Sequence, residues 1–276
     1  MTDRSSSGQV GAAAGSQPQP IARRPVVGLP VAAVDYGQAV QATLDQARLA
    51  TGAYLVEAAN THVVALARSD PAFGNAMARF DLILPDGMPL VWALNWRRRE
   101  GRLSDRVYGP TLMLRCFAAS EGDPEVRHFL LGGSQEQILA LENNLSTRYP
   151  RALICGTYSP PFGEWPKSET SAIAERIKAA HANVVWVGLG CPKQEFWMAE
   201  NKAFLPPAAY LGVGAAFAFH SGNVPQAPPF LQKCGLEWAY RLAREPRRLW
   251  KRYLVFNSLF LYYWIRQQLA SSPNAT

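Results

Sequence analysis

No run in this chain reaches the roughly 18 to 20 apolar residues that span a bilayer; the nearest, Leu254–Ile265, is broken by Asn257 and Ser258. The first twenty residues, MTDRSSSGQVGAAAGSQPQP, lack the apolar segment of a secretory signal and run instead through Ser, Gly, Gln and Pro. These absences predict a disordered tail over residues 1–24 and a cytoplasmic protein, at most peripheral to the inner face of the cell membrane. Cysteine is scarce. Cys116, Cys155, Cys191 and Cys234 lie about forty residues apart with no CxxC pair, which excludes a zinc or disulfide scaffold and leaves free thiols. Charge is also sparse: 18% of residues are charged against 48% hydrophobic, which excludes wholesale disorder and supplies a core for one large or two small domains. The charge present is unbalanced. With 28 Lys and Arg against 21 Asp and Glu, the net +7 admits nucleic acid, an anionic membrane or a phosphorylated small molecule, and does not choose among them.

From Pro25 onward, short apolar or β-branched runs alternate with longer segments of helical period, the pattern of a parallel sheet covered by helices on both faces. The runs Val26–Leu29, Ala53–Glu57, Leu82–Leu84, Arg127–Leu131, Ala152–Gly156, Asn183–Val187 and Ala209–Val213 read as strands. Helices are expected over Gln38–Leu49, Asp70–Ala78, Pro110–Ser120, Gln135–Arg148, Ser168–Ala180 and Lys193–Lys202, several opened by Asp, Ser or Pro. The fold class is therefore α/β, a Rossmann-like parallel sheet sandwiched by helices over residues 25–230. Residues 231–252 then carry seven Lys and Arg against two Glu, followed by the aromatic run LVFNSLFLYYWIRQQL. This predicts a basic and aromatic helical appendage, residues 231–276, suited to an anionic membrane surface.

Three constellations carry candidate chemistry. Leu84-Pro85-Asp86-Gly87 places a carboxylate just past an apolar strand, where open α/β sheets keep their sites; Asp86 is a candidate general base or a plain turn former. Val187 to Glu195, VGLGCPKQE, runs a strand through a glycine turn into a helix start, where amides and the side chains of Lys193 and Gln194 face an anion, or where only an ordinary βα turn lies. Gly132 and Gly133, with Gly212 and Gly214, repeat that theme as a glycine-rich rim. Arg106, before an apolar helix, is placed to grip a diphosphate or a surface carboxylate. Among the histidines, His62, His128, His181 and His220 show no ligand spacing, and His220 lies nearest the rim.

The order of these pieces resembles the WecG/TagA/CpsF glycosyltransferases, glycosyltransferase family 26, from about Val26 to Tyr253. The resemblance rests on Asn60, LPDGMPLVWA (84–93), DRVYG (105–109), FLLGGS (129–134), GTYSPPF (156–162), VGLGCPKQEFW (187–197), GVGAAF (212–217) and GLEWAYRLAREPRRLWKRY (235–253). It implies an inverting transfer of a hexose or N-acetylhexosamine from a UDP-sugar to a polyprenyl-diphosphate-linked sugar, without metal or other cofactor. Asp86 then matches the base and Asn60 a substrate-pocket residue. Arg106 and Gln194 match donor-site positions, with Gly132, Gly133, Lys193 and Glu195 in the neighbouring substrate-binding turns. Arg241, Arg248 and Arg252 match the basic positions of an appendage that closes over the site. Ala58, Ala218 and Gln226 depart from the usual Thr, Asp and Arg of that pattern and bear on sugar specificity.

Inverting transfer needs a base for the acceptor hydroxyl and positive charge for the departing diphosphate. The chain has no DxD triplet, so arginines and helix N-termini are expected to supply that charge. Two other classes use parts of the same pattern. A nucleotide-dependent oxidoreductase shares the general fold but needs a GxGxxG fingerprint that is missing here. A non-enzymatic basic module for membrane or nucleic acid leaves LPDG and GLGCPKQE without a task, and nucleic acid is not expected as a partner. A homo-oligomer is compatible with everything in the sequence.

Overall fold

The computed structural model describes residues 21–228, 230–231 and 235–270, apart from the side chains of 248 and 252. Eight strands form one sheet in the order β1-β2-β4-β3-β8-β7-β5-β6. They are β1 (Arg23–Val26), β2 (Leu29–Ala32), β3 (Ala53–Ala59), β4 (Leu82–Pro85), β5 (Arg127–Gly132), β6 (Leu153–Tyr158), β7 (Val184–Gly188) and β8 (Ala208–Gly212). Only β1 and β2 pair antiparallel; every other neighbouring pair is parallel. The sandwich expected from the alternating runs is present.

The edge hairpin is the main departure from the expected strands. Val26–Leu29 reads as one continuous apolar strand, yet the chain reverses within it, because Val27 (φ 53°) and Gly28 (φ 93°) are both left-handed. Two such residues make the short turn whose twist suits a hairpin. A β-branched residue in that region is strained, and here tertiary structure holds it: Val27 is buried, and its N–H donates to Oε1 of Gln267 at 2.6 Å.

One face of the sheet is covered by α1 (Tyr36–Leu49), α5 (Gly109–Ala119), α6 (Gln135–Arg148) and α9 (Ala216–His220). The other is covered by α2 (Thr61–Ser69), α3 (Pro71–Met77), α4 (Met88–Asn95), α7 (Lys167–Ala179) and α8 (Lys193–Asn201). Strand residues alternate between two cores as the pleat requires: Val185 and Val187 of β7 join one cluster, Val184 and Trp186 the other. Helix starts are fixed by side chains. Asp35 makes a capping box with Gln38 for α1, Asp70 accepts from Ala72 and Phe73 for α3, and Ser134 accepts from Gln137 for α6. His128, expected to be structural, is enclosed between Ser120 and the indole N–H of Trp186, which donates to Nδ1 at 3.1 Å; burial pushes its pKa down to about 3.

The C-terminal segment holds α10 (Glu237–Arg244), α11 (Pro246–Trp250), a π-helical turn (Lys251–Val255) and α12 (Phe256–Ala270). It lies against the sandwich. Phe260 is buried in the core cluster that also contains α2, Thr61 donates to Asn257 at 2.5 Å, and Gln267 bonds both Val27 and the Pro25 carbonyl of the hairpin. The opposite side of α12 leaves Leu261, Tyr262, Ile265 and Leu269 exposed. No helix among the described residues is long and apolar enough to cross a membrane. The expected tail over residues 1–24 lies outside the described residues up to residue 20, and Arg23 already belongs to β1.

Candidate active site

All the parallel strands deliver their carboxyl ends to one edge, where the connections leaving neighbouring strands run in opposite directions. The connection after β5 leads outward to β6, whereas that after β7 leads inward to β8, which opens a crevice of the kind where α/β sheets bind ligands. A cleft of about 710 Å³ occupies this edge, roofed by α10 of the C-terminal segment. Asn60 follows β3, Asp86 follows β4, Gly190 follows β7 and Gly214 follows β8, and all four line it.

Local sequence explains each placement. The Asp86 N–H donates to the Ala59 carbonyl at 2.9 Å, which ties the end of β4 to the end of β3 and sets the Asp86 carboxylate on the cleft wall before α4 begins. Asn60 caps α2 by accepting from the N–H groups of His62 and Val63; the cap uses its carbonyl oxygen and leaves the carboxamide N–H donors. Gly190, at φ 82°, makes a left-handed turn that a side chain would disfavour, and it leads the chain into α8 with Gln194 and Glu195 against the cleft floor.

Arg106 lies on the cleft wall and is already paired. Its Nη2 donates to Oε2 of Glu237 on α10 at 2.5 Å, and its guanidinium sits 4.2 Å from the centre of the Tyr108 ring. The Tyr108 hydroxyl donates to the other Glu237 oxygen. Burial works against the guanidinium charge, but the carboxylates of Asp86 and Glu237 outweigh it and hold its pKa above the usual arginine value. Burial and the Glu237 carboxylate drive the Tyr108 phenol well above its normal range, so it stays a donor. Arg241, also from α10, packs its guanidinium over Phe219 at 5.3 Å and leaves a buried Nε without a partner.

The structure thus brings Asn60, Asp86, Arg106, Gln194, Glu195 and Arg241 to one cleft. Three other candidate residues stand apart from its lining. The Lys193 ammonium turns toward the 159–166 loop, donating to the Gly163 carbonyl at 2.6 Å and sitting 3.8 Å from the Trp165 ring centre. Gly132 lies against the backbone of Gly188, and the Gly133 carbonyl accepts from Ser159, so both serve the packing of strand ends. The side chains of Arg248 and Arg252 lie outside the described residues. Of the three departures from the family pattern, Ala58 and Ala218 line the cleft, while Gln226 is exposed on a loop. The histidine on the cleft wall is His62, 3.7 Å from the Cys191 sulfur; His220 instead bonds the Pro110 carbonyl at 2.8 Å.

Sequence reasoning passed over two carboxylates. Glu237 was hidden among the basic residues of the appendage. Glu57 sits inside the apolar strand AYLVEAA, and a lone carboxylate in such a run was the available signal. Glu57 is fully buried beside Glu195; burial first, then the Glu195 and Asp86 charges, hold its pKa well above the usual carboxylate range. Burial raises Glu195 too, opposed by a backbone hydrogen bond and by its contacts with Glu57, Gln194 and Cys191. The pair therefore retains a proton. Because Glu57 binds its proton more tightly folded than unfolded, folding stability falls as pH rises from the unfolded carboxylate range toward the raised folded value. Glu57→Gln removes that penalty. The variant is expected to melt higher than the parent, with a gain that grows from pH 5 to pH 8; equal gains at both pH values would show that Glu57 is not held protonated.

The family model for the glycosyl transferase WecG/TagA/CpsF family matches residues 24–274 of the chain. The chain belongs to this family. It is therefore a glycosyltransferase, which takes a sugar donor and an acceptor. The matched range runs through the C-terminal segment, whose α10 supplies Glu237 and Arg241 to the same cleft.

Proposed function

We propose that this cleft transfers a hexosyl or N-acetylhexosaminyl group from a UDP-sugar to a polyprenyl-diphosphate-linked sugar, with inversion, in the synthesis of a cell-surface polysaccharide. The observation that carries the proposal is the placement of Asp86 in one cleft with Arg106 and Arg241. Asp86 acts as the general base, taking the proton of the acceptor hydroxyl as that oxygen attacks the anomeric carbon. Arg106 and Arg241 face the diphosphate and stabilise the charge that grows as UDP departs, in a partly buried site where such contacts are strengthened. No cofactor takes part in this scheme. UDP, binding the folded state alone, is expected to raise the melting temperature of the chain, by about 2.7 kcal/mol of added stability at a hundredfold excess over its dissociation constant. Protection by NAD(H) in place of UDP would favour a nucleotide-dependent oxidoreductase and defeat the proposal.

The acceptor's lipid places the reaction at a membrane, and α12 supports docking to its inner, anionic face. One side of α12 is held by the core, while Leu261, Tyr262, Ile265 and Leu269 remain exposed beyond the basic residues of α10 and α11. Each Lys or Arg near an anionic surface contributes about 1 kcal/mol, and the apolar side chains add partitioning. Leu261→Glu combined with Ile265→Glu is expected to abolish co-sedimentation with phosphatidylglycerol vesicles while leaving UDP protection intact. Undiminished sedimentation of that variant would remove α12 from the docking surface.

A further inference from the structure

The floor of the cleft holds more hydrogen-bond acceptors than it has donors. Glu57 on β3 and Gln194 and Glu195 on the first turn of α8 are 2%, 1% and 0% exposed, and all three line the cleft. The Gln194 amide nitrogen donates to Oε1 of Glu195 at 3.0 Å. That leaves Glu57 Oε2, Glu195 Oε2 and Gln194 Oε1 buried, and the one proton held between the two carboxyls can satisfy only one of these acceptors. Gln194 therefore presents an acceptor rather than the donor a phosphate would require, which turns it away from the diphosphate role expected from the sequence.

The arrangement is built into the sheet. Glu57 stands opposite Gly212 of β8 in the register, and a Cβ on Gly212 would lie 2.1 Å from Glu57 Oε2 and 2.9 Å from Gln194 Nε2. Only glycine leaves room for the pair. The ion pairs among the described residues involve other carboxylates, so no cation compensates these two. A buried polar atom without a partner costs stability, and acceptors left over at one spot mark a place that a ligand's donors complete.

The donors must come from a neutral, hydroxyl-rich group. A divalent cation needs several ligands, and among the described residues no group of three His, Cys, Asp or Glu is placed to hold one. A phosphate offers further acceptors and is repelled. A sugar ring, by contrast, presents several O–H donors or an acetamido N–H within a few ångströms of one another.

We propose that Glu57, Glu195 and Gln194 form the subsite for the sugar of the donor, accepting hydrogen bonds from its hydroxyl or acetamido groups while the arginines hold the diphosphate. The inference rests on the UDP-sugar reading of the cleft. Glu57 and Glu195 thereby set which sugar is accepted.

The test compares the affinity of UDP with those of UDP-glucose and UDP-N-acetylmannosamine by calorimetry, for the full chain and for Glu57→Gln and Glu195→Gln. Both substitutions keep the size of the side chain but exchange one acceptor oxygen for an N–H donor group, and UDP binding reports in the same samples that the cleft is folded. The unaltered chain should bind at least one UDP-sugar more tightly than UDP. Each variant should keep its UDP affinity and lose about ten- to hundredfold of that sugar-dependent gain, because the introduced amide sets an N–H donor where an acceptor oxygen faces the sugar's donor. An unchanged gain in both variants overturns the subsite and leaves the pair a brace between α8 and the sheet. Loss of UDP affinity itself, in a variant with the parent's circular dichroism, also overturns it, because the pair would then serve the nucleotide. A gain abolished by EDTA overturns it in favour of a cation, and no gain with either sugar in the unaltered chain overturns it outright. If the unaltered chain fails to bind UDP at all, the donor reading falls first and the subsite with it.

Discussion

Asp86→Asn is expected to lower turnover with the lipid-linked acceptor by about 10² to 10⁴-fold, the range for loss of a positioned general base. The side chain keeps its size, and the backbone bond from Asp86 to Ala59 that ties the two strand ends does not involve the carboxylate. UDP affinity should therefore change little, and the loss should appear in kcat and kcat/KM together, as it does when an interaction is made only in the transition state. A variant with near-parent turnover in a steady-state transfer assay would remove Asp86 from the chemistry. The same assay separates a base from a charge that merely orients Arg106, because an orienting role would surface as weaker UDP binding.

The second large effect centres on the contact between Arg106 and Glu237. These side chains are largely buried, their charges are paired at 2.5 Å, and they join the core domain to α10 across 131 residues of sequence. Arg106→Ala removes one partner of a buried ion pair and leaves the Glu237 carboxylate uncompensated beside Asp86, a change that costs about 3 to 5 kcal/mol of stability. It also removes a charge-assisted bond to the diphosphate, worth about 1.5 to 3 kcal/mol, or roughly ten- to hundredfold in UDP affinity. Glu237→Gln separates the two effects. The amide oxygen still accepts from one of Arg106 and Tyr108, and the side chain no longer competes with phosphate as an anion, so UDP should bind more tightly, by about 1 kcal/mol. Calorimetry on the two variants decides the matter: weaker UDP binding in Glu237→Gln, or unchanged binding in Arg106→Ala, would show that the diphosphate does not use this arginine.

Local rules made most of the sandwich legible. Gln135–Arg148 was read to the residue because Ser134 caps a strongly periodic segment, and β3, β4, β5, β7 and β8 were read because parallel strands buried on both faces leave continuous apolar runs. The errors fall where distant contacts decide. Val26–Leu29 turns in its middle against the preference of Val27, which is held by Gln267, 240 residues away. Helices α2, α4 and α9 were given no range: α2 is a short segment between two capping residues, Asn60 and Asp70, α4 is apolar enough to lack a clear face, and α9 is only five residues long.

The site was legible in its frame and not in its partnerships. Asp86, Asn60 and Arg106 stand at strand and helix ends, where chain order alone suggests a ligand edge. That Arg106 meets Glu237, that Gln194 spends its amide on Glu195, and that Lys193 turns to Trp165 are facts of tertiary packing with no local signature. Glu57 is the instructive case. Its strand was identified, and its cost within that strand was the one clue that the cleft floor carries a polar function.

The central claim is that Asp86 serves as a base for direct, inverting attack, and the anomeric configuration of the product tests it most directly. Transfer from an α-linked UDP-sugar to a polyprenyl-diphosphate-linked sugar, followed by proton NMR of the released glycan, should give a β-linkage. A product that retains the α-configuration would require a covalent or equivalent two-step route and would contradict the assignment of Asp86.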